Sequence, residues 1–278
     1  MEQALSSLRK LPEQGFDVGR MMAVFWQLTK AGLVFAVLGW LVWRGIDAMD
    51  YRWQWYRVQP FFYRVIDDEI IWGPLVRGLI MTIKIASLAG VLAVLIGFVT
   101  ALARMSGSFA GRIIATVYLE AIRNTPLLVQ LFLVYFVLAP IIGIDRFWAG
   151  VLCLALFEGS FAAEIIRGGL RGVDRGQYEG ADAVGLSTSD KYRYIIIPQS
   201  MPLILPPLTG LLISTIKHSA IVSVIALAEL TTQGLNLVSN TFMAFEVWFI
   251  VAGIYLALTV TLSFAVTLFE WYLNKDKR

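Results

Sequence analysis

The chain has 278 residues, of which 58% are apolar and only 15% charged; soluble domains carry about a quarter charged residues, so the composition excludes that class and points to a helical integral membrane protein. A membrane barrel would instead alternate apolar and polar residues along strands of about ten residues. A net charge of +3 is too small an excess to mark a nucleic-acid binder, and one cysteine (Cys153) with one histidine (His218) supports neither a disulfide framework nor a conventional zinc site.

Residues 1–20 are a polar lead. A first apolar span runs from about Met22 to Trp43, interrupted by Lys30 and finished by Trp40 and Trp43. The long lead and the absence of a small-residue cleavage site favour an uncleaved helix over a signal peptide. From Arg44 to Trp72 follows a loop dense in rings, including Tyr51, Trp53, Trp55, Tyr56, Tyr63 and Trp72. Such rings collect at the headgroup level, so this loop is expected along the outer surface, as an anchor or as a contact for an outside partner.

The second span covers about Leu75–Leu102, long enough to cross a core of about 30 Å with tilt. After a Gly/Ser turn between Arg104 and Arg112, a third runs from about Ile113 to Ile142 and contains the polar knot Glu120–Arg123–Asn124–Thr125–Pro126. The fourth, Phe147–Ile166, holds Glu158 near its centre and Glu164 near its end.

A charged interlude, Asp174–Pro198, separates the fourth and fifth spans and is punctuated as two short helices. Asp174 with Gln177 is an N-cap with a reach-back acceptor, Gly185 suits a left-handed stop, Ser187 with Asp190 repeats the cap, and Pro198 closes the second helix. The fifth span, about Pro202–Leu230, carries Lys217 and His218 at its midpoint; a charge-free loop, residues 231–245, leads to the sixth, Glu246–Phe269. About six transmembrane helices thus make an all-α integral membrane protein with both termini on one side. That side receives Arg104, Arg112, Arg167, Arg171, Arg175, Lys191, Arg193, Lys275, Lys277 and Arg278, and the positive-inside rule makes it cytoplasmic. The division expected is 1–73 for the lead, extra helix and aromatic loop, 74–272 for the transmembrane domain and 273–278 for a cytoplasmic tail.

Ionisable residues inside a span need a partner or a role. Glu120 with Arg123 and Glu164 with Arg167 are each three apart on one helix face and suit structural ion pairs. Glu158 has no cation among its helical neighbours; it pairs across helices with Lys217 or Arg123, or it faces a polar pathway. Such a pathway would include Arg123, Asn124, Thr125, Glu158, Lys217, His218 and Ser219, and would hold a zwitterion with its carboxylate on a cation and its ammonium on Glu158. No nucleophile–base signature is present, so no catalytic residue is expected. No glycine-rich phosphate loop occurs either, so no cofactor is expected on this chain. Mid-membrane Glu158, Lys217 and His218 alone would also suit an ion-coupled secondary transporter or channel.

Family motifs decide between these. Glu179-Gly180-Ala181, three residues, Gly185, nine residues, Ile195, one residue and Ile197-Pro198 resembles the EAA motif of permease subunits of ATP-binding-cassette importers. Gly180 and Ile197 depart from it where alanine and leucine are usual. Arg123–Gln130, Ala163–Gly169, Arg175-Gly176-Gln177, Leu205–Leu208 and Lys217–Ile225 resemble the polar amino acid permeases, with His218 where a carboxylate or amide is usual. The resemblance covers about residues 75–270. It implies a five-helix type I importer core behind one added N-terminal helix, a second permease subunit, identical or paralogous, and a periplasmic or tethered substrate-binding protein. It also implies a cytoplasmic ATPase dimer that holds ATP and Mg and receives the 174–198 coupling hairpin on Gln177, Glu179, Gly180, Ala181 and Gly185. The setting implied is the bacterial inner membrane, the cargo an amino acid, and nucleic acid is no partner.

Overall fold

The computed structural model describes residues 18–49 and 51–275; the expectations for the polar lead before residue 18 and for the tail beyond residue 275 lie outside them. Two compact units divide the chain between Trp53 and Gln54, not at residue 73, so most of the aromatic stretch belongs to the larger unit.

The first unit holds helix α1, Val18–Ala48, of which Phe25–Gly45 is long and apolar enough to cross a bilayer. Lys30 sits 5.2 Å from the Trp26 ring centroid and Arg44 5.3 Å from that of Trp40. Each cation lies over the ring one turn earlier, an i,i+4 spacing that gives Lys30 a local partner within the span.

The larger unit begins with a short helix, α2 (Gln59–Phe62), and a hairpin of strands β1 (Tyr63–Ile66) and β2 (Glu69–Trp72), in place of a plain loop. Asp67 and Asp68 close it with φ of 50° and 61°, the paired left-handed conformation of a two-residue turn that matches strand twist. Helix α3, Pro74–Met105, spans 32 residues, about 48 Å. It packs most closely on α6, Arg146–Arg171. Gly97 permits the crossing, because a Cβ there would lie 2.6 Å from the Ala162 Cβ and 2.9 Å from the Ala163 nitrogen.

Between them the expected third span is broken. Helix α4, Phe109–Arg123, and helix α5, Leu127–Ile142, meet at 109° across Asn124–Pro126. Pro126 offers no N–H and its ring excludes a continuing turn. The carbonyls freed by the break are met from inside: the buried Gln130 amide donates to Ile122 O at 2.7 Å and to Thr125 O at 2.8 Å.

Past α6 comes α7, Arg175–Ala183, then one long helix, α8, Thr188–Ile225. Pro198 therefore does not end a short second helix. A π-helical stretch at Lys191–Ile196 leads into it, with Ile197 N–H reaching back to Tyr192 O, and the widened turn accommodates a ring that cannot donate. Ala226, at φ 55°, stops α8 before the expected Leu230. The stretch read as a charge-free loop is mostly helix α9, Leu230–Thr241, and α10 runs from Ala244 to Lys275. Among the described residues five helices are long and apolar enough to span a membrane, six if the bent pair counts as one, in line with the expected all-α membrane architecture.

The core is layered along the helices. Ile85, Leu131, Leu154 and Val222 fill one region, Ala162, Ile166, Ile196 and Ile204 a second against α7, and Phe61, Leu75, Leu230 and Met243 a third near the hairpin.

Candidate functional site

Two places carry the sequence-predicted residues. The first is the polar hairpin between α6 and α8. Asp174 caps α7 by accepting from Gly176 N–H at 2.7 Å, but Gln177 makes no reach-back bond; its side-chain oxygen accepts from Gln199 Nε2 at 3.0 Å. Gly185 takes φ 75°, the left-handed stop expected of it. Ser187 Oγ accepts from Asp190 N–H at 3.2 Å and donates to its carboxylate at 2.7 Å, a cap that opens α8.

These local bonds leave the hairpin one inward and one outward face. Ala181 is buried, and Tyr178 donates to Leu170 O at 2.7 Å, bracing α7 against the end of α6. Burial first, and then neighbouring Tyr192, raise the Tyr178 pKa above its ordinary value, so the hydroxyl remains a donor at neutral pH. Lys191 Nζ meets Asp182 Oδ1 at 2.5 Å across the turn. Outward stand Glu179, Gly180, Val184 and Gly185. Glu179 Oε1 accepts from Arg175 Nε at 2.8 Å, a surface pair one turn apart.

A Cβ on Gly180 would meet nothing within 4 Å. Gly180→Ala should therefore stabilise α7 by up to about 1 kcal/mol, the helix-propensity difference with no steric opposition. Slower amide hydrogen exchange across residues 175–183 would register it; unchanged or faster exchange would show that the position is governed by something other than propensity.

The second place lies within the membrane helices. Glu164 is approached by Arg104 from α3, by Arg167 one turn along α6, and by Arg123 from α4 at 3.7 Å. The expected Glu164–Arg167 pair is thus part of a larger cluster. The expected Glu120–Arg123 pair is not formed: Glu120 Oε2 accepts from Asn124 Nδ2 at 2.8 Å, while Arg123 turns across to α6. The break after Arg123 frees that side chain from its own helix face.

Glu158, 3% exposed at its side chain, pairs with neither Lys217 nor Arg123. Its Oε1 lies 2.5 Å from His218 Nδ1, and the imidazole stands nearly perpendicular to the Phe157 ring with centroids 5.9 Å apart. Lys217 and His218 are neighbours about 100° apart round α8, so only one of them can face α6. His218 does, and Lys217 is exposed. Asn124 and Thr125 spend their donors on the Glu120 and Ala121 carbonyls, and buried Ser219 donates to Ile216 O. All three acceptors are backbone carbonyls of the donor's own chain segment.

Other functional-looking groups escaped sequence reasoning. Glu229 is wholly buried and caps α9, accepting from Thr231 and Thr232 N–H at 2.8 and 2.7 Å and from Tyr255 OH at 3.0 Å. Glutamate is not among the favoured N-cap residues, so no local signal marked it. Lys84, exposed on α3, holds its ammonium 5.0 Å from the Phe147 ring centroid. Arg104, expected only to flank a turn, reaches Glu164 because α3 and α6 pack side by side.

The family described as binding-protein-dependent transport system inner membrane component matches residues 93–273. The chain is 36% identical over 210 residues to the glutamine transport system permease protein GlnP of Escherichia coli K12, covering 73% of this chain and 96% of that protein. It is 34% identical over 192 residues to the arginine transport system permease protein ArtQ of Bacillus subtilis, covering 68% and 88%. A solved amino acid ABC transporter with histidines shares 43% identity, with a TM-score of 0.67, over 72% of this chain and 94% of that one.

Proposed function

The chain belongs to the family of binding-protein-dependent transport system inner membrane components, as a permease subunit of an ATP-binding-cassette importer, and on that premise we propose that it forms a pathway for polar amino acids or related small zwitterions across a bacterial inner membrane. Its relatives are named for glutamine and arginine. The exposed 174–190 hairpin carries the coupling half of the proposal: Glu179 and Gly185 stand outward on a helix braced from behind by Tyr178 and Ala181.

In this scheme the chain pairs with a second permease subunit, identical or paralogous. Each subunit seats its hairpin in one of two cytoplasmic ATPase subunits, which hold ATP and Mg, and a periplasmic or tethered binding protein delivers the solute. Both termini face the cytoplasm, on the side of the hairpin and of the basic residues Arg104, Arg112, Arg167 and Arg171. ATP binding closes the ATPase pair, draws the hairpins together and opens the spans outward; hydrolysis restores the inward-facing state. The switch requires that ATP bind one arrangement better than the other. In this reading Arg123, Lys217 and His218 meet the solute, with the buried Glu158 acting through its bond to His218.

Uptake of radiolabelled L-glutamine and L-glutamate should require ATP and the binding protein, and should survive collapse of the proton gradient by an ionophore while ATP is maintained. Loss of uptake on collapse of the gradient, with ATP intact, would replace the importer scheme with an ion-coupled carrier.

A further inference from the structure

The charged groups of the membrane helices are joined by a strip of aromatic rings. The Arg123 guanidinium lies 5.7 Å from the Phe161 ring centroid, Phe161 lies 5.2 Å from Phe157, and Phe157 lies 5.9 Å from the His218 ring. The strip therefore passes without a gap from the end of α4, across one face of α6, to α8.

Its charges do not balance. At one end the single carboxylate of Glu164 is shared by Arg104, Arg123 and Arg167, and the Arg123 side chain remains 44% exposed. Glu120, one turn before Arg123, accepts from the neutral Asn124 amide, which offsets none of its charge; with it counted, Arg104, Arg123, Arg167 and Lys217 still exceed Glu120, Glu158 and Glu164 by one. At the other end Glu158 is closed in, 3% exposed and bonded to His218, so it offers an incoming ammonium no free oxygen face comparable to the exposed cations. Lys217 is exposed beside it, with no carboxylate within ion-pair distance among the described residues. Lys84 on α3 is exposed as well and rests on an aromatic ring instead of an acid.

We propose that the solute carries more carboxylate than ammonium groups: an acidic amino acid or a comparable dicarboxylate, its extra carboxylate drawn to the Lys217–His218 end of the strip. This deepens the amino acid permease assignment and rests on it. Exposed cations without counter-charges favour an anion and oppose a second ammonium, and the effect strengthens as a site closes away from bulk water. A neutral zwitterion gains less, because it has no second carboxylate to set against the exposed Lys217. A basic side chain would add a further cation to a region already in positive excess.

The test uses the permease assembled with its ATPase subunits in lipid nanodiscs, without the binding protein, equilibrated with radiolabelled L-glutamate, L-glutamine or L-arginine. L-Glutamate should bind at least about tenfold more tightly than the other two. Lys217→Met should weaken L-glutamate about tenfold and leave L-glutamine within about twofold, whereas Lys217→Arg, which keeps the charge, should retain the preference. Thermal stability of both variants, read alongside, separates a lost charge from a lost fold. Equal or tighter binding of L-arginine or L-glutamine, or a preference that survives Lys217→Met in a folded complex, overturns the charge assignment and leaves the amino acid permease intact. Failure of all three amino acids to bind or to be taken up overturns the amino acid cargo proposed above, and this inference with it.

Discussion

Replacing Glu164 with glutamine is expected to lower the thermal stability of the assembled permease by about 1–3 kcal/mol. Among the described residues its carboxylate is the acid that Arg104, Arg123 and Arg167 share, reaching it from three directions on α3, α4 and α6. Without it, three guanidiniums are left facing one another in a partly buried setting. Removing one partner of a fully buried pair costs about 3–5 kcal/mol because an uncompensated charge remains. Here the side chains retain 22–44% exposure, so water screens part of the repulsion and the lower range applies. The charge account makes a sharper demand of the double variant. Arg104→Gln added to Glu164→Gln should recover part of the loss, because it removes one of the stranded cations. Thermal unfolding of the purified complex, followed through a double-mutant cycle, measures this. Additive losses would show that shape, not charge balance, holds these helices together.

Glu179→Arg is expected to leave the permease folded and assembled while reducing ATP-driven uptake by about tenfold or more. Folding should be spared because the Arg175–Glu179 pair is a surface pair, with side-chain exposures of 92% and 64%, and such pairs contribute about 0–1 kcal/mol. Coupling should suffer because the substitution reverses the charge at the centre of the outward face of α7 and sets two arginines one turn apart. A charge reversed inside a docked interface costs far more than the same change on a solvated helix surface, because the partner group across the interface is left desolvated and unpaired. ATP hydrolysis by the complex should continue without the usual stimulation by loaded binding protein. Normal uptake by a normally assembled complex would remove Glu179, and with it the outward face of α7, from the coupling interface.

Much of this protein was readable before its structure. The apolar runs located the membrane helices, because a bilayer demands a long uninterrupted segment that satisfies its own backbone. Asp174, Ser187 and Gly185 were readable as punctuation because capping and left-handed stops involve residues only two or three positions apart. The motif spacing around Glu179 identified the family, and residues 93–273 match it. Errors arose where a local signal had more than one structural solution. Pro126 broke a span, while Pro198 was carried through on a π turn, and nothing in the immediate residues distinguishes the two outcomes. Gln130 settles the first from four residues away, by donating to the carbonyls that the break exposes.

The amino acid sequence by itself determined the membrane class, the runs apolar enough to cross a bilayer, the Asp174 and Ser187 caps with the Gly185 stop, and the family. All of these depend on composition, periodicity or short spacing along the chain. The tertiary structure alone decided which acid meets which cation. Glu158 chose His218 over Lys217 although the two adjoin, because α8 turns only one of them toward α6. Glu164 gathered Arg104 from 60 positions away because small residues around Gly97 let α3 and α6 approach closely. Ion pairs are set by distances of a few ångströms between side chains on different helices. Those distances depend on how each helix is rotated and packed, which no spacing within a single helix records.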